Sequence, residues 1–179
     1  TRAKSNTPIA HSNLSREEIE ERNYGEDIPS LLSHLPSVVI SSESGTGIGS
    51  TSFRVRGTDA TRINVTLNGV PMNDAETHSV YWYDTPDLVS SLGSVQLQRG
   101  VGTSTAGTGA FGASLNMTSA PLASNFSGRA SLSYGSFNTA KQEIALSSGL
   151  LGGHWAVDAR LSHLSSDGYV ERASSNLSS

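Results

Sequence analysis

The chain has 179 residues, a net charge of −4, 35% hydrophobic and only 16% charged residues, and no cysteine. This excludes a disulfide framework and a thiolate metal site, and it excludes a general nucleic-acid binder, which needs a basic surface to neutralise phosphates. No run approaches the roughly 18 apolar residues of a membrane helix, no signal peptide is present, and the opening Thr1 reads as the start of a mature or excised piece.

In chain order, Ser15 and Glu18 form a capping box, so "SREEIEERN" predicts two helical turns before Gly25. Asp27 offers a cap to "IPSLLSHL", which places Leu31, Leu32 and Leu35 on one side and stops at Pro36. Strand patterns follow at 37–41, 52–57, 62–72 and 94–100, with Asn68-Gly69 marking a tight turn. Next, "VQLQRGVGTSTAGTGAFGASLNMTS" holds Gly107, Gly109 and Gly112 in the G-x-G-x-x-G spacing of a dinucleotide loop. That loop must open a helix and be followed about 20 residues later by an acidic partner for the ribose. Here an alternating segment follows, Pro121 closes it, and the next acidic residue is Glu143. No Lys completes a phosphate loop either, so the glycines predict a turn between strands where backbone comes close to a neighbour.

After "APLASNF" the chain turns to long alternating strands. Ala130, Leu132 and Tyr134 oppose Arg129, Ser131 and Ser133. Ile144, Leu146 and Ser148 oppose Glu143, Ala145 and Ser147. Trp155, Val157, Ala159 and Leu161 oppose Asp158, Arg160 and Ser162, with compact turns at 135–139 and 149–153. Strands of about ten residues with this alternation are the weak signature of an outer-membrane barrel, which needs at least about 8 of them. Three cannot close one, and a half-exposed soluble meander is the plain alternative.

The order of the motifs is more specific. "DIPSLLSHLPSVVI", "FRVRGTDATRINVTLNGVPMND" and the Gly-rich stretch resemble, in order and spacing, the plug-domain motifs of TonB-dependent outer-membrane transporters, and "GRASLSYGSFNTAK" and "LSHLSSDGYVE" resemble the family's first barrel strands. Asn68 stands where the family has Asp, Val101 where it has Pro, and Phe111 interrupts the glycine run. The resemblance implies an α+β plug with a small mixed β-sheet and short helices over 7–120, a linker over 121–127, and over 128–179 the antiparallel opening strands of a transmembrane β-barrel of about 22 strands. The implied function is gating of energy-coupled uptake of a siderophore, haem, cobalamin or glycan. The implied partners are the TonB complex, through a segment upstream of Thr1, the chain's own barrel, the transported ligand and a surface lipoprotein. No cofactor is implied.

The resemblance also gives residues roles. Arg56 and Arg99, each before a glycine (Gly57, Gly100), match arginines that lie against the barrel wall and pair with its glutamates. An Arg fork suits a reversible carboxylate latch, whereas without the resemblance both would read as solvent-facing. The segments after each motif reach the ligand-facing apex, which nominates Asp59, Arg62, Asn73, Asp74, His78, Tyr81 and Trp82. From the residues alone, Tyr81, Trp82 and Tyr83 cannot all enter one core, so at least one is displayed, while a plain packing role for Trp82 or Tyr83 stays open beside the apex role. Asp74, Glu76 and His78 lack the helical spacing of a zinc site. Gly57, Asn68, Gly69, Gly100, Gly107, Gly109 and Gly112 are expected as turn and packing elements. No G-x-S-x-G, H-E-x-x-H or S-x-x-K motif supports an enzyme, and the five histidines are scattered. The competing reading is a soluble β-rich ligand-binding or adhesion module that uses the aromatic cluster as its recognition patch.

Overall fold

The structure is a computed structural model and describes residues 2–4, 7–101 and 111–179. Its order is β1 (His11–Leu14), α1 (Arg16–Glu21), α2 (Ile28–Leu31), β2 (Val38–Ser42), β3 (Thr51–Val55), β4 (Ile63–Leu67), β5 (Val70–Pro71), β6 (Leu92–Arg99), β7 (Ala113–Ser119), β8 (Ser127–Gly135), β9 (Thr139–Ser147), β10 (Asp158–Ser166) and β11 (Ser175–Ser178). The expected fold class is present: short helices with a mixed sheet, then an antiparallel sheet.

The mixed sheet has the order β1-β6-β7-β4-β5, with β4 and β7 parallel and the other pairs antiparallel. Alternation divides its faces. Val95, Leu97, Leu115 and Met117 are buried in one core with Ile19 of α1 and Ile28, Leu31 and Leu32 of α2 and the turn after it. Gln96, Gln98, Ser114 and Asn116 occupy the other face. On that face the Gln96 amide accepts from Ala3 N–H at 2.7 Å and donates to the Ala3 carbonyl at 2.9 Å, so the N-terminal residues bind to it as an extended strand would. β2 and β3 form a separate two-stranded ribbon.

The capping box at α1 is complete: Ser15 Oγ accepts from Glu18 N–H and the Glu18 carboxylate accepts from Ser15 N–H. Asp27 is the N-cap residue of α2, but its side chain does not cap. Its carboxylate accepts from Thr51 Oγ1 at 2.8 Å, which ties the helix start to β3. Asn68 and Gly69 both have positive φ, 52° and 84°, the pairing a two-residue hairpin between β4 and β5 requires.

β8–β11 form a second sheet in the order β11-β10-β9-β8, built inside out. The rows Arg129–Ala145–Arg160 and Ser131–Glu143–Ser162 are cross-strand neighbours on the side facing the first unit, while Ala130–Ile144–Leu161 face outward. Leu132 is 83% exposed and Leu161 72%, whereas Lys141 and Glu143 are buried. Two expectations are corrected here. The strand predicted from 154 begins at Asp158, because Leu151 and Trp155 bond to each other and extend the preceding turn, leaving Trp155 and Val157 outside the strand. A fourth strand, β11, pairs with β10 although "SNLS" carries too short an alternation to be read.

Candidate functional site

One end of the mixed sheet collects most of the nominated residues. The start of β4, the end of β6 and the start of β7 meet there, since Ile63 pairs with Ala113 and Arg99 with Ala113. Backbone bonds extend the junction: Gly112 N–H donates to the Arg62 carbonyl at 3.0 Å and Gly100 N–H to the Gly112 carbonyl at 2.8 Å. A Cβ on Gly112 would lie 2.4 Å from Thr58 Cγ2, so this glycine admits a neighbouring chain where no side chain fits. Gly107 and Gly109 lie outside the described residues.

Local hydrogen bonding places the polar candidates. Asp59 caps the 3-10 turn Ala60–Arg62, accepting from Thr61 N–H at 3.0 Å, and leaves Arg62 exposed. Asn73 is consumed structurally: its amide accepts from Val65 N–H and donates to the Ile63 and His78 carbonyls. It is therefore the clasp of the loop and has little left to offer a ligand. Asp74 folds that loop by accepting from Glu76 N–H, Thr77 N–H and Thr77 Oγ1. These bonds, above all those from backbone N–H groups, hold the Asp59 and Asp74 carboxyls below the usual range. His78 sits at φ 58° with its side chain in solvent.

The aromatic triplet divides. Trp82 is 3% exposed, packed in the core with its ring centroid 6.4 Å from that of Phe53, so of the two roles open to it the packing one is present and its nomination for the apex is corrected. Tyr81 and Tyr83 stay exposed with centroids 5.6 Å apart. Trp82, the first residue of the 3-10 turn at 82–84, points inward, and Tyr81 before it and Tyr83 after it point outward.

Arg99 is buried and binds local acceptors: Nε donates to the Pro36 carbonyl at 3.0 Å and Nη2 donates to Ser12 Oγ. Burial, and then the charge of Arg56, lowers its pKa. Arg56 is exposed at φ 52°, followed by Gly57 at 76°, and its Nη1 is 3.9 Å from where a Cβ on Gly100 would stand. Neither arginine has a carboxylate partner among the described residues.

A buried ion cluster lies elsewhere, among residues that the sequence does not single out as a site. Asp87 accepts from Lys141 Nζ at 2.6 Å and from Arg160 Nη1, and Lys141 Nζ also lies 3.1 Å from the Glu143 carboxylate. Ser90 and Asn23 complete the bonding of Lys141. The available signal was the polar row of β9 and β10, where Lys141, Glu143 and Arg160 alternate with Ile144, Leu146 and Leu161. A groove of about 390 Å³ runs along the same seam beside Tyr24, Glu26, Thr46, Tyr134 and Phe137; none of the apex candidates lines it.

Residues 3–114 match a family described as the TonB-dependent receptor plug domain. Among solved structures, the alcaligin outer-membrane receptor FauA from Bordetella pertussis superposes with a TM-score of 0.72 at 20% identity, covering 92% of this chain and 28% of that one. The pyoverdine outer-membrane receptor FpvA from Pseudomonas aeruginosa PAO1 gives 0.71 at 19% identity, covering 92% and 23%. The copper transporter OprC gives 0.67 at 18% identity, covering 97% and 27%. The chain thus spans about a quarter of the length of these proteins. No curated protein matches it by sequence.

Proposed function

Since the chain belongs to the TonB-dependent receptor plug family, whose members are outer-membrane receptors and not enzymes, we propose that it is the plug and opening barrel wall of a receptor that gates energy-coupled uptake of a scarce ligand into the periplasm. The plug occupies 7–120, the linker 121–127 and the barrel strands 128–179. The observation that carries this reading is the inside-out sheet seated on a plug-family domain. Ile144, Leu146 and Leu161 face outward as lipid-facing residues do, while Lys141, Glu143 and Arg160 face the plug as lumen residues do. A soluble adhesion module has no use for that inversion.

In this reading Arg56 and Arg99 face carboxylates of the barrel, and Asp59, Arg62, Asp74, His78 and Tyr81 present the ligand-side apex. The end of the sheet that holds them is opposite the one where β7 passes into the linker at Ser119–Ala120. The TonB complex acts through a segment upstream of Thr1, and a surface lipoprotein on the outer side is a further partner. The test is uptake by the whole receptor, expressed in an outer membrane, of labelled ferric siderophore, haem, cobalamin, oligosaccharide and copper, with and without functional TonB. TonB-dependent uptake of one of them, weakened by Tyr81→Ala or His78→Ala, is the expected result. Absence of TonB-dependent uptake for the whole panel overturns the reading and favours the adhesion module.

A further inference from the structure

The plug-facing side of β8–β10 offers little apolar adhesion. Its buried residues are Lys141, Glu143, Ser162 and Ser166, with Leu164 as the single large apolar side chain, which comes within 3.0 Å of a Cβ built on Gly25. What the seam does contain is a four-charge cluster with two carboxylates and two cations, so its formal charge is zero. The side chains of Asp87, Lys141 and Glu143 are 1%, 3% and 8% exposed, and that of Arg160 is 21%. Asp87 is the plug's only charged member, and it uses both carboxylate oxygens, one for Lys141 and one for Arg160. The plug supports the arrangement with Ser90 Oγ, which donates to Asp87 Oδ1 at 2.7 Å and lies 3.1 Å from Glu143 Oε2. Asp87 has φ 53°, a left-handed conformation that Asp and Asn tolerate.

We propose that Asp87 is the pin that fixes the plug to the barrel wall, by a buried carboxylate on the plug that engages two cations on neighbouring wall strands, Lys141 of β9 and Arg160 of β10. Removing one charge from such a cluster leaves the others buried and uncompensated, so the pair breaks as a unit and not by small steps. The pin lies before the start of β6 and Arg99 ends that strand, which is about 24 Å long at 3.4 Å per residue, so the two lie toward opposite ends of it. The polarity is also reversed: the plug is anionic at Asp87 and cationic at Arg56 and Arg99. Any movement of the plug within the barrel therefore has the Asp87 corner as its fixed point.

The proposal rests on reading β8–β11 as barrel wall, and its test is independent of transport. The chain has no cysteine, so a single Ser162→Cys in the plug-facing row reports seating through its rate of maleimide labelling in dodecyl maltoside micelles. A single Ser114→Cys, on the plug's own buried sheet, reports plug folding. Asp87→Asn keeps the shape and the backbone preference and removes only the charge. Asp87→Asn and Lys141→Met should each raise labelling at Ser162→Cys at least tenfold, with the two together no greater than the larger single effect, while Ser114→Cys stays protected. Labelling within twofold of the parent in Asp87→Asn, or single effects that multiply, overturns the pin while leaving the transporter reading intact. If Asp87→Asn also opens Ser114→Cys, the milder Ser90→Ala decides: labelling at Ser162→Cys must rise about threefold with Ser114→Cys closed, and no rise overturns the proposal.

Discussion

Replacing Asp27 by Asn should stabilise the plug at neutral pH and flatten its pH dependence. Asp27 is 6% exposed at the start of α2, where its N–H donates to the Gly47 carbonyl and its carboxylate accepts from Thr51 Oγ1. Burial pushes its pKa up from 3.8 to about 6, only partly offset by the Thr51 hydroxyl and the Gly49 backbone bond, and the Glu26 charge adds to the rise. Because the folded state binds this proton more tightly than the unfolded chain, the contribution to stability is full below pH ~4 and is lost as pH rises through about 6. At about 1.4 kcal/mol per pKa unit, the charged form costs on the order of 3 kcal/mol at neutral pH. Asn keeps an acceptor for Thr51 but adds an amide that finds no assured partner, at roughly 1–2 kcal/mol, so a net gain of about 1–2 kcal/mol is expected at pH 7.5 and none or a loss at pH 4.5. Urea denaturation followed by Trp82 fluorescence measures both. Asp59 and Asp74, whose carboxyls are held low, act in the opposite sense and only toward lower pH, which is why the acid point is set at 4.5. An Asp27→Asn chain destabilised equally at both pH values would refute the argument.

The core and surface aromatics should separate in the same assay: Trp82→Ala, read by circular dichroism, should cost about 3–5 kcal/mol and Tyr81→Ala less than about 1. Equal losses would show that Trp82 does not hold the core with Phe53. Gly69→Ala meets open space and only a positive φ, so about 1 kcal/mol is expected, whereas Gly112→Ala drives a Cβ against Thr58 and should cost more, with part recovered in Gly112→Ala/Thr58→Gly. Matching melting shifts for the two alanine variants would remove the close-approach role of Gly112. Without detergent, light scattering should show self-association through the free edges of β8 and β11 and the apolar face between them, relieved in micelles. A monomer in plain buffer would refute that.

The elements that were legible in the sequence are those in which local chemistry and tertiary environment agree. The capping box of α1, the Asn68-Gly69 hairpin and the alternation of β6 and β9 are set within a few residues, and packing does not override them. Asp27 was misread as a side-chain cap because its competitor, Thr51, is 24 residues away and only the fold brings it near. A run of three aromatics has no readable period, so the sequence leaves Trp82 open between apex and core; its burial beside Phe53, 29 positions earlier in the chain, is a tertiary fact. Asn73 was grouped with ligand-facing residues because its three backbone partners come from β4 and from the loop beyond, which proximity in sequence does not reveal.

The same logic explains why the ion cluster was invisible while the sheet that carries it was not. Alternation in β9 and β10 separates Ile144, Leu146 and Leu161 from Lys141, Glu143 and Arg160, but a period of two does not say which row meets water. In a soluble meander the charged row is the exposed one, and its members need no partners. The structure reverses this: the apolar row is outside, and the charged row is pressed on a plug that supplies one carboxylate, one hydroxyl and one amide at Asp87, Ser90 and Asn23. Burying four charges is tolerable only if each finds a partner, and the corner at Asp87 that supplies one stands on the core of the first unit, where Val89 and Leu92 are buried. The first unit, with an apolar core of its own, presents the counter-charge, and the second sheet, whose side facing it buries Leu164 as its single large apolar residue among those described, is matched to it by charge.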